Sequence, residues 1–213
     1  MVSRPQLLNR ILDAVFPPLC LHCQREGAWL CSNAVAQLTK IQPLFDPLPI
    51  DDVDRVLCVG SYDHPLIGKL VTRMKYGGFT AYREVVRVML TNISLGNDGS
   101  LIIPVPLHAT RQRARGFNQS RVIAEELASL LTTRTADLVH RARATHTQTS
   151  LTESARRHNV ERAFRLARWV ETVPERGILV DDVITTGSTI RECASVLRKA
   201  GMKQITAVAL AKG

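Results

Sequence analysis

The run Ile178-Leu179-Val180-Asp181-Asp182-Val183-Ile184-Thr185-Thr186-Gly187-Ser188-Thr189 joins an apolar stretch to two adjacent carboxylates and a hydroxyl-rich turn around one glycine. Gly177 to Val180 are small or apolar without alternation, the pattern of a strand buried on both faces inside a parallel sheet. Ligands of open α/β sheets bind beyond the carboxyl ends of such strands, so the acids emerge where a substrate would sit. An ionised Asp accepts hydrogen bonds and donates none, which suits a vicinal pair to two ribose hydroxyls, with or without a bridging divalent cation. Thr185 to Thr189 then offer hydroxyls and successive backbone N–H groups at a helix start, whose positive dipole end favours a phosphate.

The helix is legible in its own spacing. Ile190, Cys193, Ala194 and Leu197 fall at i, i+3, i+4 and i+7, and Gly201 is placed to end it. The run Ile205 to Leu210 returns to the sheet, completing a βαβ unit. Neither GxxxxGK[ST] nor GxGxxG occurs, which argues against an ordinary nucleotide triphosphatase and a dinucleotide dehydrogenase.

Working toward the N-terminus, Leu101 to Val105 is apolar throughout and predicts a second buried strand. It leads through Pro106-Leu107-His108 into an arginine-rich loop and a helix from Asn118 to about Leu131. Arg55 to Tyr62 predicts another strand, with Cys58 a buried small residue and no nucleophile. Helices are expected over about Leu66–Lys75 and Tyr82–Asn92, with a turn at Gly96 to Gly99. Residues 1–49 read as a separate segment. It comprises an amphipathic run (Leu7, Leu8, Ile11, Leu12, Val15, Phe16), the cysteines, and a linker punctuated by Pro43, Pro47 and Pro49. Residues 50–213 form the main domain.

Cys20-x2-Cys23-x7-Cys31 has zinc-ribbon-like spacing but lacks a fourth ligand, and His22 sits between two of the others. Bound structural Zn2+, a metal-free, degenerate knuckle and a site completed by a ligand from elsewhere in the chain are all open readings. Five cysteines with no paired framework agree with a reducing, cytoplasmic location. No apolar run approaches a membrane span. The net charge of +9, from 28 Lys and Arg against 19 acids, attracts polyanions. Aromatics are only 5% and do not interleave with the arginines, so base-stacking platforms are poorly supported.

The acidic pair and its turn resemble the phosphoribosyl pyrophosphate (PRPP) signature of type I phosphoribosyltransferases. Three further blocks sharpen the resemblance to the ComF/GntX family, which includes the competence protein ComFC. They are Met74-Lys75-Tyr76-Gly77-Gly78; Pro104 to His108 leading to Arg115-Gly116-Phe117-Asn118-Gln119-Ser120; and Arg143 to Phe164, with Thr145, Gln148, Leu151, Arg156, Asn159, Ala163 and Phe164 at the family's spacings. The blocks run from about Val53 to the C-terminus.

The resemblance implies an α/β, type I phosphoribosyltransferase fold: a mostly parallel sheet flanked by helices, with a small cysteine-containing segment in front. Asp181 and Asp182 are then expected to hold the ribose hydroxyls and share Mg2+, with Val183, Thr185, Thr186, Gly187, Ser188 and Thr189 around the 5-phosphate. Arg111, Arg113 and Arg115, with Asn118, Gln119 and Ser120 at a helix N-terminus, suit the pyrophosphate, because guanidinium forks and terminal N–H groups both match phosphate oxygens. Residues 141–157 resemble the hood that closes over substrate, with Thr145, Gln148 and Arg156 as its polar positions. Lys75 either contacts phosphate or compensates a helix dipole. His108 either assists proton transfer or is simply packed or exposed. The implied reaction is phosphoribosyl transfer to a nitrogen nucleophile, linked to competence and DNA uptake. The competing expectation is a non-catalytic component that handles single-stranded DNA beside a competence helicase.

Overall fold

The computed structural model describes residue 17 and residues 19–74, 83–96, 98–142 and 163–213. The amphipathic run at residues 7–16, Lys75, and the hood positions Thr145, Gln148 and Arg156 lie outside the described residues. In chain order the elements are α1 (Ser32–Leu38), β1 (Leu44–Phe45), β2 (Arg55–Ser61), α2 (Pro65–Met74), α3 (Arg83–Leu90), β3 (Leu101–Pro104), α4 (Ala109–Arg115), α5 (Gln119–Leu130), β4 (Val139–Arg141), β5 (Phe164–Leu166), β6 (Arg176–Ile184), α6 (Ser188–Lys199) and β7 (Gln204–Lys212).

Five strands form one sheet in the order β1-β2-β7-β6-β3. β2, β7, β6 and β3 run parallel, and β1 is an antiparallel edge. This is the mostly parallel sheet the apolar runs predict, with β6 and β7 inside it. The reason for their unbroken hydrophobicity is visible in how alternate residues are divided between two cores. Leu57, Val59, Ile102, Ile178, Val180, Val208 and Leu210 join the core formed with α2, α3 and α5. Val56, Cys58, Ile103, Leu179, Ala207 and Ala209 join the core formed with α6 and β5 on the other face.

α6 buries Ile190, Cys193, Ala194 and Leu197, the four residues of its expected apolar face. Gly201, with φ 106°, follows its C-cap in the left-handed region that suits glycine. α5 buries Val122, Ile123 and Leu127 as expected, whereas Leu130, at its last turn, is 40% exposed.

Two expectations need correction. The stretch expected as an arginine-rich loop is the helix α4. Its Ala-Thr-Arg-Gln-Arg-Ala-Arg sequence is rich in good helix formers but has no apolar stripe for periodicity to detect. His108 caps it by accepting from the Thr110 backbone N–H at 3.2 Å, and Gly116, with φ 80°, ends it. The proline-punctuated stretch expected as a linker instead supplies β1, paired to β2 through Leu44↔Cys58 and Phe45↔Leu57.

The cysteine segment also packs into the main body. Cys20, Leu21, Ala34 and Leu38 belong to the same apolar core as α2, α3 and α5, and the Asn92 amide donates to the Leu38 carbonyl at 2.6 Å. β4 and β5 form a separate antiparallel ribbon, Val139↔Leu166 to Arg141↔Phe164, with the Arg141 guanidinium 5.2 Å from the Phe164 ring centre. The ribbon therefore holds residues 142 and 163 next to each other; Ala142 N–H donates to Ala163 O at 2.7 Å.

Candidate functional site

β3 and β6 are parallel neighbours whose following helices pack on opposite faces, α5 in one core and α6 in the other. Their carboxyl ends consequently border a crevice, the topological switch point at which α/β sheets bind ligands. β3 stops at Pro104, opposite Val180, while β6 continues beside β7 to Ile184. Asp181 and Asp182 thus sit on extended strand backbone, where β6 has outrun its neighbour. This differs from the expectation that the strand would end before the acids.

Each carboxylate is fixed by the next residue. Asp182 N–H donates to Asp181 Oδ1 at 2.9 Å, and Val183 N–H donates to Asp182 Oδ1 at 2.8 Å. Asp181 Oδ1 also accepts from the Ser120 hydroxyl at 2.8 Å. Ser120 is buried near the start of α5, so this bond joins the turn after β3 to the acidic strand. Burial and the adjacent Asp182 charge raise the Asp181 carboxyl to about 7, against the lowering effect of the Ser120 and Asp182 donors. Behind it, burial and the Asp181 charge push the Cys193 thiol well above its ordinary value. Burial raises Cys58 to about 11, in keeping with its packed, unreactive place in β2.

Thr185 is exposed and Thr186 partly so. The Thr186 and Ser188 hydroxyls lie 3.1 Å apart. Gly187 is the N-cap of α6 with φ 73°. It is required for a second reason as well: a Cβ there would lie 2.6 Å from Ile50 Cδ1 and 2.8 Å from Ile50 Cγ1, with Leu48 Cδ1 at 3.5 Å. The chain just after β1 therefore packs directly beneath the turn.

Asn118 caps α5 through Ser120 N–H at 3.1 Å and ties it to the residue just after β3 by donating to the Val105 carbonyl at 2.9 Å. The buried Gln119 amide donates to the Met74 carbonyl at 3.3 Å, at the end of α2. Both side chains thus hold α5 against neighbouring elements. α4 carries Arg111 and Arg115 one turn apart in the connection between β3 and α5. The Ser120–Asp181 bond and the Leu48 and Ile50 packing were not foreseen. Their partners are 61 or more residues apart in sequence, and no local pattern announces them.

The three cysteine sulfurs at Cys20, Cys23 and Cys31 lie within 4.8 Å of one another. Cys31 N–H donates to Cys20 Sγ at 3.3 Å. Cys20 is lowered to about 7: burial raises it, but backbone N–H groups of Cys23, His22 and Cys31 and the Cys31 side chain outweigh that. A cavity of about 450 Å3 adjoins the cluster. No helix among the described residues is long and apolar enough to cross a membrane.

Residues 118–213, which span α5 through β7, match the phosphoribosyl transferase domain. Competence protein F of Haemophilus influenzae is 33% identical over 207 residues, covering 92% of this chain and 85% of its own length. The DNA utilization protein YhgH of Salmonella typhi is 34% identical over 161 residues, 69% of this chain and 67% of its own. Competence protein ComFC of Streptococcus pneumoniae is 28% identical over 141 residues, 66% and 61% of the two chains. With two carboxylates near the carboxyl end of β6, a hydroxyl-rich turn around Gly187 and a match along nearly its whole length, the chain belongs to the ComF family and has its phosphoribosyltransferase fold.

Proposed function

We propose that the chain binds PRPP in the β3–β6 crevice and transfers its phosphoribosyl group to a nitrogen nucleophile, releasing pyrophosphate, in the service of DNA uptake or utilisation. The observation that carries this reading is the Ser120–Asp181 hydrogen bond, which couples the two βα turns that the substrate's ends would occupy. Asp181 and Asp182 grip the ribose hydroxyls through the oxygens not held by backbone N–H groups. Val183 to Thr189 surround the 5-phosphate at the start of α6. Arg111, Arg115 and the first N–H groups of α5 at Asn118 and Gln119 receive the pyrophosphate, with Lys75 as a further phosphate contact.

The vicinal carboxylates fit a hard divalent cation. Asp181 and Asp182 would hold Mg2+, which supplies charge neutralisation on the leaving group. The anomeric C–O bond breaks with its electron pair passing to pyrophosphate; the nucleophile's nitrogen lone pair forms the new C–N bond, and that nitrogen gives up a proton. The protein's part is positioning and charge stabilisation. Thr145, Gln148 and Arg156 belong to the segment assigned to exclude water. A cytoplasmic location is part of this reading.

Thermal unfolding with PRPP and magnesium tests it. At about a hundredfold the dissociation constant, binding should add roughly 2.7 kcal/mol, which for a chain of this size is a rise of about 5–10 °C. The Asp181→Asn/Asp182→Asn double variant should stay folded and lose the rise. No shift in the wild type at saturating ligand would overturn the proposal.

A second reading is favoured by the net charge of +9 and by relatives named for competence and DNA utilization. It is single-stranded DNA handling without turnover, beside a competence helicase. Oligonucleotide affinity would then fall steeply with salt, with a slope of about −0.7 per phosphate neutralised, whereas PRPP binding depends chiefly on magnesium and the acids.

A further inference from the structure

The cysteine cluster is one ligand short of a closed metal site. A tetrahedral divalent ion with Zn–S bonds of about 2.3 Å places its sulfurs about 3.8 Å apart. Cys20, Cys23 and Cys31, all within 4.8 Å of one another, need close by no more than about an ångström to reach that geometry. The Cys31 N–H donated to Cys20 Sγ is the kind of bond that supports a metal-held thiolate from outside the coordination sphere. The donor set therefore fits a zinc-class ion. Among the described residues, no further His, Cys, Asp or Glu joins the cluster.

Two observations bear on the fourth position. Cys31 is the N-cap of α1, so Ala34, three residues on, shares its side of the helix. Ala34 is fully buried and lies in the same apolar core as Cys20, and its methyl group can ligate nothing. His22 lines the neighbouring cavity, but its Nε2 is 3.0 Å from the Gln37 side-chain amide and its ring does not reach all three sulfurs. The cavity itself, about 450 Å3, is bordered by the three cysteines together with Arg25, Glu26, Ser32 and Asn33. Cys23 is exposed on its wall.

We propose that Cys20, Cys23 and Cys31 bind one zinc-class divalent ion as three thiolates and leave its fourth position open to this cavity, occupied by water that a small sulfur or nitrogen donor can displace. Closed zinc sites that serve only to hold a fold have four protein ligands, while an open position is what makes a bound zinc able to take an outside ligand. Three thiolates on a divalent ion leave one net negative charge beside Arg25. Each thiol releases its proton as the ion binds.

The test uses the full chain, kept reduced with a non-coordinating phosphine, stripped by chelator and titrated with Co2+, whose visible bands report the ligand set. One Co2+ per chain should bind, with thiolate charge-transfer absorption that each single Cys→Ser substitution weakens. Imidazole or a small thiol should then shift the wild-type bands, and His22→Ala should leave the starting spectrum unchanged. Ala34→Cys should raise the charge-transfer intensity by about a third, as four thiolates replace three, and abolish the response to added ligand. If that variant does not fold, the wild-type imidazole titration decides alone. Failure of the reduced protein to bind Co2+ saturably would overturn the proposal, as would bands indifferent to imidazole. A spectrum altered by His22→Ala would also overturn it, assigning the fourth position to that ring.

Discussion

Replacing Gly187 by alanine should damage the turn between β6 and α6 in two separable ways. The residue has φ 73°, where an L side chain costs roughly 1–2 kcal/mol. The added Cβ would also lie 2.6 Å from Ile50 Cδ1 and 2.8 Å from Ile50 Cγ1. Both contacts are too short for carbon atoms, and overpacking of this kind costs roughly 1–3 kcal/mol. Together the terms predict a loss near 3 kcal/mol, or a melting temperature lower by about 6–12 °C for a chain of this length. Ile50→Ala separates them. In that background the clash has no partner, so Gly187→Ala should cost only the backbone part, about 1–2 kcal/mol. Urea unfolding of the wild type, both single variants and the double variant gives the coupling energy, expected at roughly 1–3 kcal/mol with the double variant better than additive. Additivity to within about 0.5 kcal/mol would refute the claim that Ile50 buttresses the turn.

Two further outcomes follow from buried charge. The Asp181 carboxyl is raised to about 7 from its ordinary 3.8, so the folded chain keeps a proton that the unfolded chain releases. The stability this contributes is complete below about 3.8 and is lost as pH rises to about 7. In metal-free protein, the stability of Asp181→Asn relative to wild type should therefore grow across that window in urea titrations, and a constant difference would contradict the assignment. Glu126, whose side chain is 9% exposed, accepts from Arg83 at 2.6 Å and Arg87 at 3.1 Å, joining α5 to α3. Glu126→Ala should cost roughly 1–3 kcal/mol, whereas Glu125→Ala, at a side chain 34% exposed, should cost under about 1 kcal/mol in the same thermal melts.

What was legible in the sequence is what the chain records locally. β6 and β7 could be read because burial on both faces leaves unbroken apolar runs, and α6 because its buried face repeats at helical spacing. The acidic pair and its turn stood out as a candidate site for a related reason: they are contiguous. α4 was not legible, since a short helix held by a histidine cap and a left-handed glycine needs no apolar stripe. β1 was not, because two residues between prolines carry too little pattern to distinguish an edge strand from a linker. The contacts that assemble the site were hidden most thoroughly. Ser120 reads as one hydroxyl among several at a helix start, and only the sheet order β7-β6-β3 brings it to Asp181. Similarly, Ile50 reads as one more apolar residue after a proline until β1 pairs with β2 and sets the chain beneath Gly187.

The β4–β5 ribbon has a consequence for register. Arg141 pairs with Phe164, and Ala142 N–H donates to Ala163 O, so residues more than twenty positions apart in sequence are locked to one alignment. Side chains alternate between the two faces of a strand, so a slip of β5 by one residue would put exposed Arg165 where buried Phe164 now sits and would take the ring away from the Arg141 guanidinium. Three paired residues on each strand are thus enough to set one alignment, because the wrong one would bury a charge in place of a ring.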